Sequence, residues 1–164
     1  MLLSLKRQLM IIVPGPDNYI RLEVLKTGLM RGKKHLFEFP VYRGTAERNP
    51  NRYQISIDAR KIVCKDDWLK PGDLKKVAEY AVKDMLDAER NPEITYQSES
   101  GLLTIRGKSA PAGVAYKEVS PDVFEGSATV DMRLFGLKPP SAGLGTVGTD
   151  PWMKLSFRIK VRAA

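Results

Sequence analysis

The segment "WMKLSFRIKVR", residues 152–162, alternates apolar and polar side chains without a break, and this constrains the chain more than any other feature. Met153, Leu155, Phe157, Ile159 and Val161 fall on one side of an extended backbone; Lys154, Ser156, Arg158, Lys160 and Arg162 fall on the other. Only a strand, whose side chains repeat every second residue, buries the first set while wetting the second. "RYQISIDA" repeats the pattern, with Tyr53, Ile55, Ile57 and Ala59 opposed to Arg52, Gln54, Ser56 and Asp58. "FEGSATVDMRLF" sets Phe124, Gly126, Ala128, Val130, Met132 and Leu134 against Glu125, Thr129, Asp131 and Arg133. Weaker strands are expected around Ile20–Leu29, Lys34–Tyr42, Glu93–Glu99, Leu102–Arg106 and Val114–Lys117. Half-buried strands of this kind pair antiparallel. About eight of them is the number whose closed barrel holds its own side chains or one small ligand.

One segment has another period. "DLKKVAEYAVKDMLDAERNP" places Leu74, Val77, Ala78, Ala81, Val82, Met85 and Leu86 on a single helical stripe. Asp73 is the expected N-cap and Asn91-Pro92 the stop, giving one principal helix at about Asp73–Glu89. A lone helix in a strand series packs on the sheet or plugs it. The expected fold is therefore mainly β, an antiparallel barrel with one principal α-helix. The 164 residues fit one domain, with residues 1–19 as a short N-terminal extension.

Two glycine motifs invite a nucleotide reading and fail it. "GLLTIRGKSA", Gly101 to Ala110, ends in Gly-Lys-Ser, but five residues separate Gly101 from Gly107. A phosphate-cradling loop needs four, followed at once by a helix. Here Ala110-Pro111-Ala112-Gly113 follows, which reads as a turn, so the stretch is a strand with Gly107 turning and Lys108 on the surface. "GLGTVG", Gly143 to Gly148, spells a dinucleotide fingerprint, yet prolines flank it and a strand, not a helix, comes next. No cofactor is implied.

The formal charge of +8 suits anionic ligands or lipid surfaces, but the basic residues are scattered and form no arm, so nucleic acid is not an expected partner. Cys64 is the one cysteine, which excludes an internal disulfide, and within "KIVCKD" it reads as a small buried apolar residue. His35 is the one histidine, and no close carboxylate cluster in the sequence completes a metal site around it. Lys6-Arg7-Gln8 interrupts the apolar N-terminus and no small-residue cleavage site follows, so a cytoplasmic location is expected. No stretch approaches the ~18 apolar residues of an integral membrane span.

Several segments carry a family pattern. "LKTGLMRGKKHLFEFPVYRGTAE" has a glycine-containing turn, Gly32, leading to His35 and an extended strand. "YQISIDARKI", "MLDAERNPEITYQSE", "GLLTIRGKSA" and "RLFGLKPPSAG" follow in order. Together, from about Ile20 to Val161, they resemble the YceI-like family of lipocalin-like barrels, which bind polyisoprenoids and other lipids. The resemblance implies a lipocalin-like antiparallel β-barrel and a binding protein with no catalytic set. Family analogy also admits a periplasmic location and, with exposed strand edges, a homodimer.

The leading expectation is a non-enzymatic carrier or sensor of an amphipathic small molecule, an isoprenoid or fatty lipid, held in the barrel interior. The inward candidates are Phe37, Phe39, Val41, Tyr53, Ile55, Ile57, Ile94, Tyr96, Leu103 and Ile105. Arg31, Lys33, Lys34 and His35 are the candidates for an anionic head group at one rim. The alternatives are a filled barrel serving stress response or protein interaction, and a small hydrolase- or isomerase-like enzyme. The last needs carboxylates in a pocket, whereas Asp58, Glu125 and Asp131 lie on the polar faces of their strands.

Overall fold

The computed structural model describes residues 8–28, 31–138 and 147–164. Its strands in chain order are β1 (Gln8–Ile12), β2 (Tyr19–Gly28), β3 (Lys34–Glu38), β4 (Tyr42–Arg48), β5 (Arg52–Asp58) and β6 (Val63–Cys64). After a helical segment come β7 (Glu93–Gln97), β8 (Leu102–Ile105), β9 (Lys108–Pro111), β10 (Ala115–Ser120), β11 (Val123–Asp131), β12 (Val147–Lys160) and β13 (Arg162–Ala163). They form a seven-stranded sheet, β13-β1-β4-β5-β7-β8-β9, and a six-stranded sheet, β10-β11-β12-β2-β3-β6. The fold is mainly β and antiparallel with one principal helix, as the alternation requires. Among the described residues the hydrogen-bonded ladders make two sheets around one apolar interior, not a single continuous ring.

The strands outnumber the expected eight for local reasons. Residues 8–12, read as part of an extension, form β1 and pair with both β4 and β13. The stretch Lys34–Tyr42 breaks at Pro40, which cannot donate to a ladder. Past it the chain crosses to the other sheet and begins β4 at the buried Tyr42. β4 reads as a weak alternation because its third residue is Gly44, where a Cβ would run into the Gln54 carbonyl oxygen of β5. "GLLTIRGKSA" is a complete hairpin: Arg106 (φ 53°) and Gly107 (φ 73°) are both left-handed, and Ile105 pairs with Lys108 across them. Two such residues make the hairpin turn whose twist matches its strands. Lys108, expected as a turn residue, therefore opens β9. Of the glycine loop Gly143–Gly148, residues 143–146 lie outside the described residues, and Val147 and Gly148 begin β12.

Helix α1 (Pro71–Tyr80) continues into a wider π-type turn, Ala81–Met85. Its N-cap is Lys70, not Asp73, because Pro71 holds the preceding residue extended (ψ 153°) and fits the first helical position. Asp73 lies in the first turn, where a carboxylate suits the positive end of the helix. The helix stops before Glu89, near Asp87, which is left-handed (φ 46°). Of the stripe, Ala81, Met85 and Leu86 are buried, and Leu74, Val77, Ala78 and Val82 are half-buried. In β11 the expected face ends at Met132. The Asp131 carboxylate accepts the Arg133 N–H at 2.9 Å and starts a 3-10 turn, Met132–Phe135. The phase change leaves Leu134 exposed and buries Phe135 in its place.

Arg106 ties the hairpin to the helix. Its Nη1 donates to the Gly136 carbonyl at 2.9 Å and, at 3.4 and 3.5 Å, to the carbonyls of Asp84 and Met85 at the helix end. Truncation in Arg106→Ala is expected to lower the stability by about 1.5–3 kcal/mol in urea titration. Arg106→Gly loses the same contacts but relieves the left-handed backbone, so it should cost less. The Tyr42 hydroxyl is buried without a hydrogen-bond partner among the described residues. Tyr42→Phe should accordingly raise the unfolding midpoint, by about 1 kcal/mol of stability. A loss of similar size would mean that the hydroxyl is satisfied.

Candidate functional site

Inward faces of the two sheets meet around a cavity of about 130 Å³. Direct cross-strand pairs build its walls, since residues opposite one another share a face. On one sheet Ile55 faces Tyr96, Ile57 faces Ile94, and Tyr96 faces Leu103. On the other, Ile20 faces Phe157 and Leu22 faces Leu155. Leu86, from the end of the helical segment, and Leu137, after the 3-10 turn, also contribute. Apart from Glu47, Arg48, Asn51, Arg52, Ser127 and Ser156, every side chain in this lining is apolar or aromatic, so the cavity offers mainly shape and hydrocarbon surface.

Eight of the sequence-derived candidates, Phe39, Tyr53, Ile55, Ile57, Ile94, Tyr96, Leu103 and Ile105, line the cavity. Phe37 and Val41 do not. Phe37 is fully buried in solid packing, and Val41 is displaced to the surface by the break at Pro40. Met10, Ile12, Ile20, Leu22, Leu155 and Phe157 also line it. Those of β12 were visible as an alternating face; those of β1 were hidden in the supposed extension.

The proposed head-group set is elsewhere. Arg31, Lys33 and Lys34 are exposed at the β2–β3 turn, and none borders the cavity. That turn lies at the Gly28 end of β2, beside Val147, while the Tyr19 end lies beside Arg158 and the β10–β11 hairpin. The polar border is at this second end, on the β4–β5 hairpin: Glu47, Arg48, Asn51 and Arg52. Arg48 donates to both oxygens of Glu118, at 3.1 and 2.6 Å, and to Asp122 at 3.1 Å. Glu118 and Asp122 belong to the β10–β11 hairpin, so this cluster ties the two sheets across the rim. Beneath it Tyr53 packs against Tyr96 (5.6 Å) and edge-on against Tyr116 (5.2 Å), and Phe124 lies under the Arg48 guanidinium. Burial first, then Tyr96 and Tyr116, pushes the Tyr53 hydroxyl upward in pKa and keeps it protonated.

His35 is not a solvated turn residue. β3 pairs with β6 so that Phe37 faces Cys64, and the same register carried outward sets Asp66 against His35. Nδ1 of His35 lies 2.6 Å from Oδ2 of Asp66, and the Leu36 N–H donates to Oδ1 at 2.6 Å. The Cys64 thiol hydrogen-bonds the same carboxylate. All three side chains are buried, and Trp68 packs on the histidine ring at 5.7 Å. Burial alone would raise the Asp66 carboxyl, but His35, the Leu36 N–H and Cys64 together hold it below its ordinary value. Burial pushes the Cys64 thiol up to about 12. Cys64 is buried as expected, but it sits in a polar cluster that the sequence alone did not suggest.

A family model for the YceI-like domain matches residues 23–161. The chain belongs to the YceI-like family. Two solved structures share the fold of this YceI-like chain. BcnA of Burkholderia cenocepacia is 16% identical with a TM-score of 0.57, over 88% of this chain and 96% of that one. A polyisoprenoid binding domain from Saccharophagus degradans, implicated in plant cell wall breakdown, is 9% identical with a TM-score of 0.64, over 97% and 100%. Comparison with curated protein sequences gives no match.

In this YceI-like fold the Asp66 cluster should show itself in acid. Its folded carboxyl titrates below the ordinary 3.8, so the stabilisation is complete above that value and fades as pH falls through the folded pKa. Asp66→Asn is expected to cost about 3 kcal/mol at neutral pH. The gap from the parent should narrow at about pH 3 in urea titrations. A gap independent of pH would show that charge on Asp66 contributes nothing.

Proposed function

We propose that this protein binds an amphipathic lipid such as an isoprenoid in its interior, without catalysis, as a carrier or sensor. The observation that carries the reading is the cavity between the sheets, lined almost wholly by hydrocarbon and bordered by polar residues at one end. Each methylene moved from water into such a lining gains about 0.8 kcal/mol. Family membership, and the Saccharophagus domain described as polyisoprenoid binding, support the same class of ligand. The lipid's polar end belongs at the border formed by Asn51, Arg52 and Tyr116, not at the β2–β3 turn. Arg48 is already neutralised there by Glu118 and Asp122, which disfavours a head group that depends on a free cation.

Native mass spectrometry before and after organic extraction should reveal a co-purified species that extraction removes. Ile55→Trp tests the location, because Ile55 lines the cavity and its strand neighbours point outward. The variant should remain folded, at a cost near the low end of the roughly 1–3 kcal/mol typical of overpacking, and should no longer bind a fluorescent isoprenoid probe. Retained probe binding would place the lipid elsewhere. Absence of binding by the unaltered protein would favour a barrel that works through its surface.

A further inference from the structure

The buried trio at the far end of β2 and β3 has the composition of a metal site. We propose that His35, Cys64 and Asp66 bind a borderline-soft divalent cation of the zinc type, through Nδ1, Sγ and a carboxylate oxygen. The three donor atoms lie within 4.8 Å of one another. A tetrahedral zinc site, with metal–ligand distances of about 2.0–2.3 Å, needs donor separations of roughly 3.3–3.8 Å. The Nδ1–Oδ2 pair, at 2.6 Å, has to open by roughly 0.7–1.2 Å to admit the ion.

Position argues as strongly as distance. β3 and β6 are held in register by their ladder, so the sheet fixes where His35 and Cys64 stand. Asp66 is anchored through Oδ1 by the Leu36 N–H, leaving Oδ2 as the donor. Trp68, pinned by its indole N–H to the Lys34 carbonyl at 2.9 Å, covers the histidine ring. A thiolate and a carboxylate balance the two positive charges of the ion, so filling the site buries no net charge of its own. The buried Lys26, which interacts with Asp66 through charge, opposes the ion; Lys33, over the Trp68 ring at 5.7 Å, is more distant. The trio therefore favours a tightly coordinated ion over a loosely held one.

On binding, the Cys64 thiol loses its proton to solvent and a sulfur–metal bond forms. Nδ1 becomes a ligand only without its proton, the neutral ring keeping its proton on Nε2. Because the thiol must shed its proton to bind, affinity should rise with pH.

The test uses the full chain, reduced and stripped with a chelator, in a Trp152→Phe background that leaves Trp68 as the fluorescent reporter. Titration with Co²⁺ should give one equivalent of binding and a thiolate-to-cobalt charge-transfer band. It should also quench Trp68, with all signals reversed by Zn²⁺. Cys64→Ala should lose the charge-transfer band and weaken Zn²⁺ binding at least about 100-fold. His35→Gln should weaken it similarly, and Lys26→Met should tighten it. Absence of a charge-transfer band in the parent, or equal Zn²⁺ affinity in the parent and in folded Cys64→Ala, would overturn the proposal. The parent spectrum decides by itself if the variants do not fold. Lipid binding is not required by this site, and its loss would leave these readouts unchanged.

Discussion

β12 is hydrogen-bonded along both edges, to β11 from Val123 to Asp131 and to β2 from Tyr19 to Gly28, and the interior depends on that double register. It sets Leu155 between Ala128 and Leu22, and Phe157 between Gly126 and Ile20. A side chain at Gly126 would occupy the space of the Phe157 ring, with its Cβ 2.5 Å from the nearest ring carbon. The glycine is thus the socket for the aromatic. Slipping β12 by one residue would turn Lys154 and Arg158 toward the cavity and Leu155 and Phe157 toward water. Past Val161 the same chain becomes β13 and joins the other sheet. One continuous segment therefore joins the two walls at that corner.

The strands that could be read from sequence were those with one wet and one dry face. β5 and β12 alternate so strictly that their inward residues were assigned correctly before any partner was known. β1 escaped because five apolar-rich residues near a terminus look the same whether they pair or dangle. β4 escaped because its third residue is Gly44, where the backbone of β5 approaches closely, a property that hydropathy cannot register. The His35–Cys64–Asp66 cluster was hidden for a different reason. "KHLFE" and "VCKD" each alternate, but their relation is the register of β3 against β6, a long-range pairing that neither segment encodes alone. No close carboxylate cluster stands beside His35 in the sequence, whereas the ladder delivers one carboxylate from residue 66.

The two acid–base clusters show how much environment matters. Arg48, Glu118 and Asp122 make close contacts at the rim, but water screens them, so such pairs add little stability. Their effect is to join two hairpins over the tyrosines. Asp66 has no water to fall back on. Its oxygens are engaged by a histidine, a backbone N–H and a thiol, and removing any one leaves a buried charge short of a partner. The rim can exchange its contacts, and the interior cluster cannot.

β2 runs from one of these environments to the other. Its inward residues are Ile20, Leu22, Val24 and Lys26 in turn, all buried. The first two line the cavity; Val24 faces His35 across the ladder, and Lys26 interacts with Asp66. Phe37 of β3 is opposite Leu22 on β2 and opposite Cys64 on β6, fully buried, and stands between the two regions. This explains why Phe37 shares the inward face without lining the cavity: its ring forms part of the partition. Phe37 and Val24 thus lie between the cavity and the Asp66 cluster. The depth of the cavity is therefore limited by packed side chains, and the polar cluster is shielded from it.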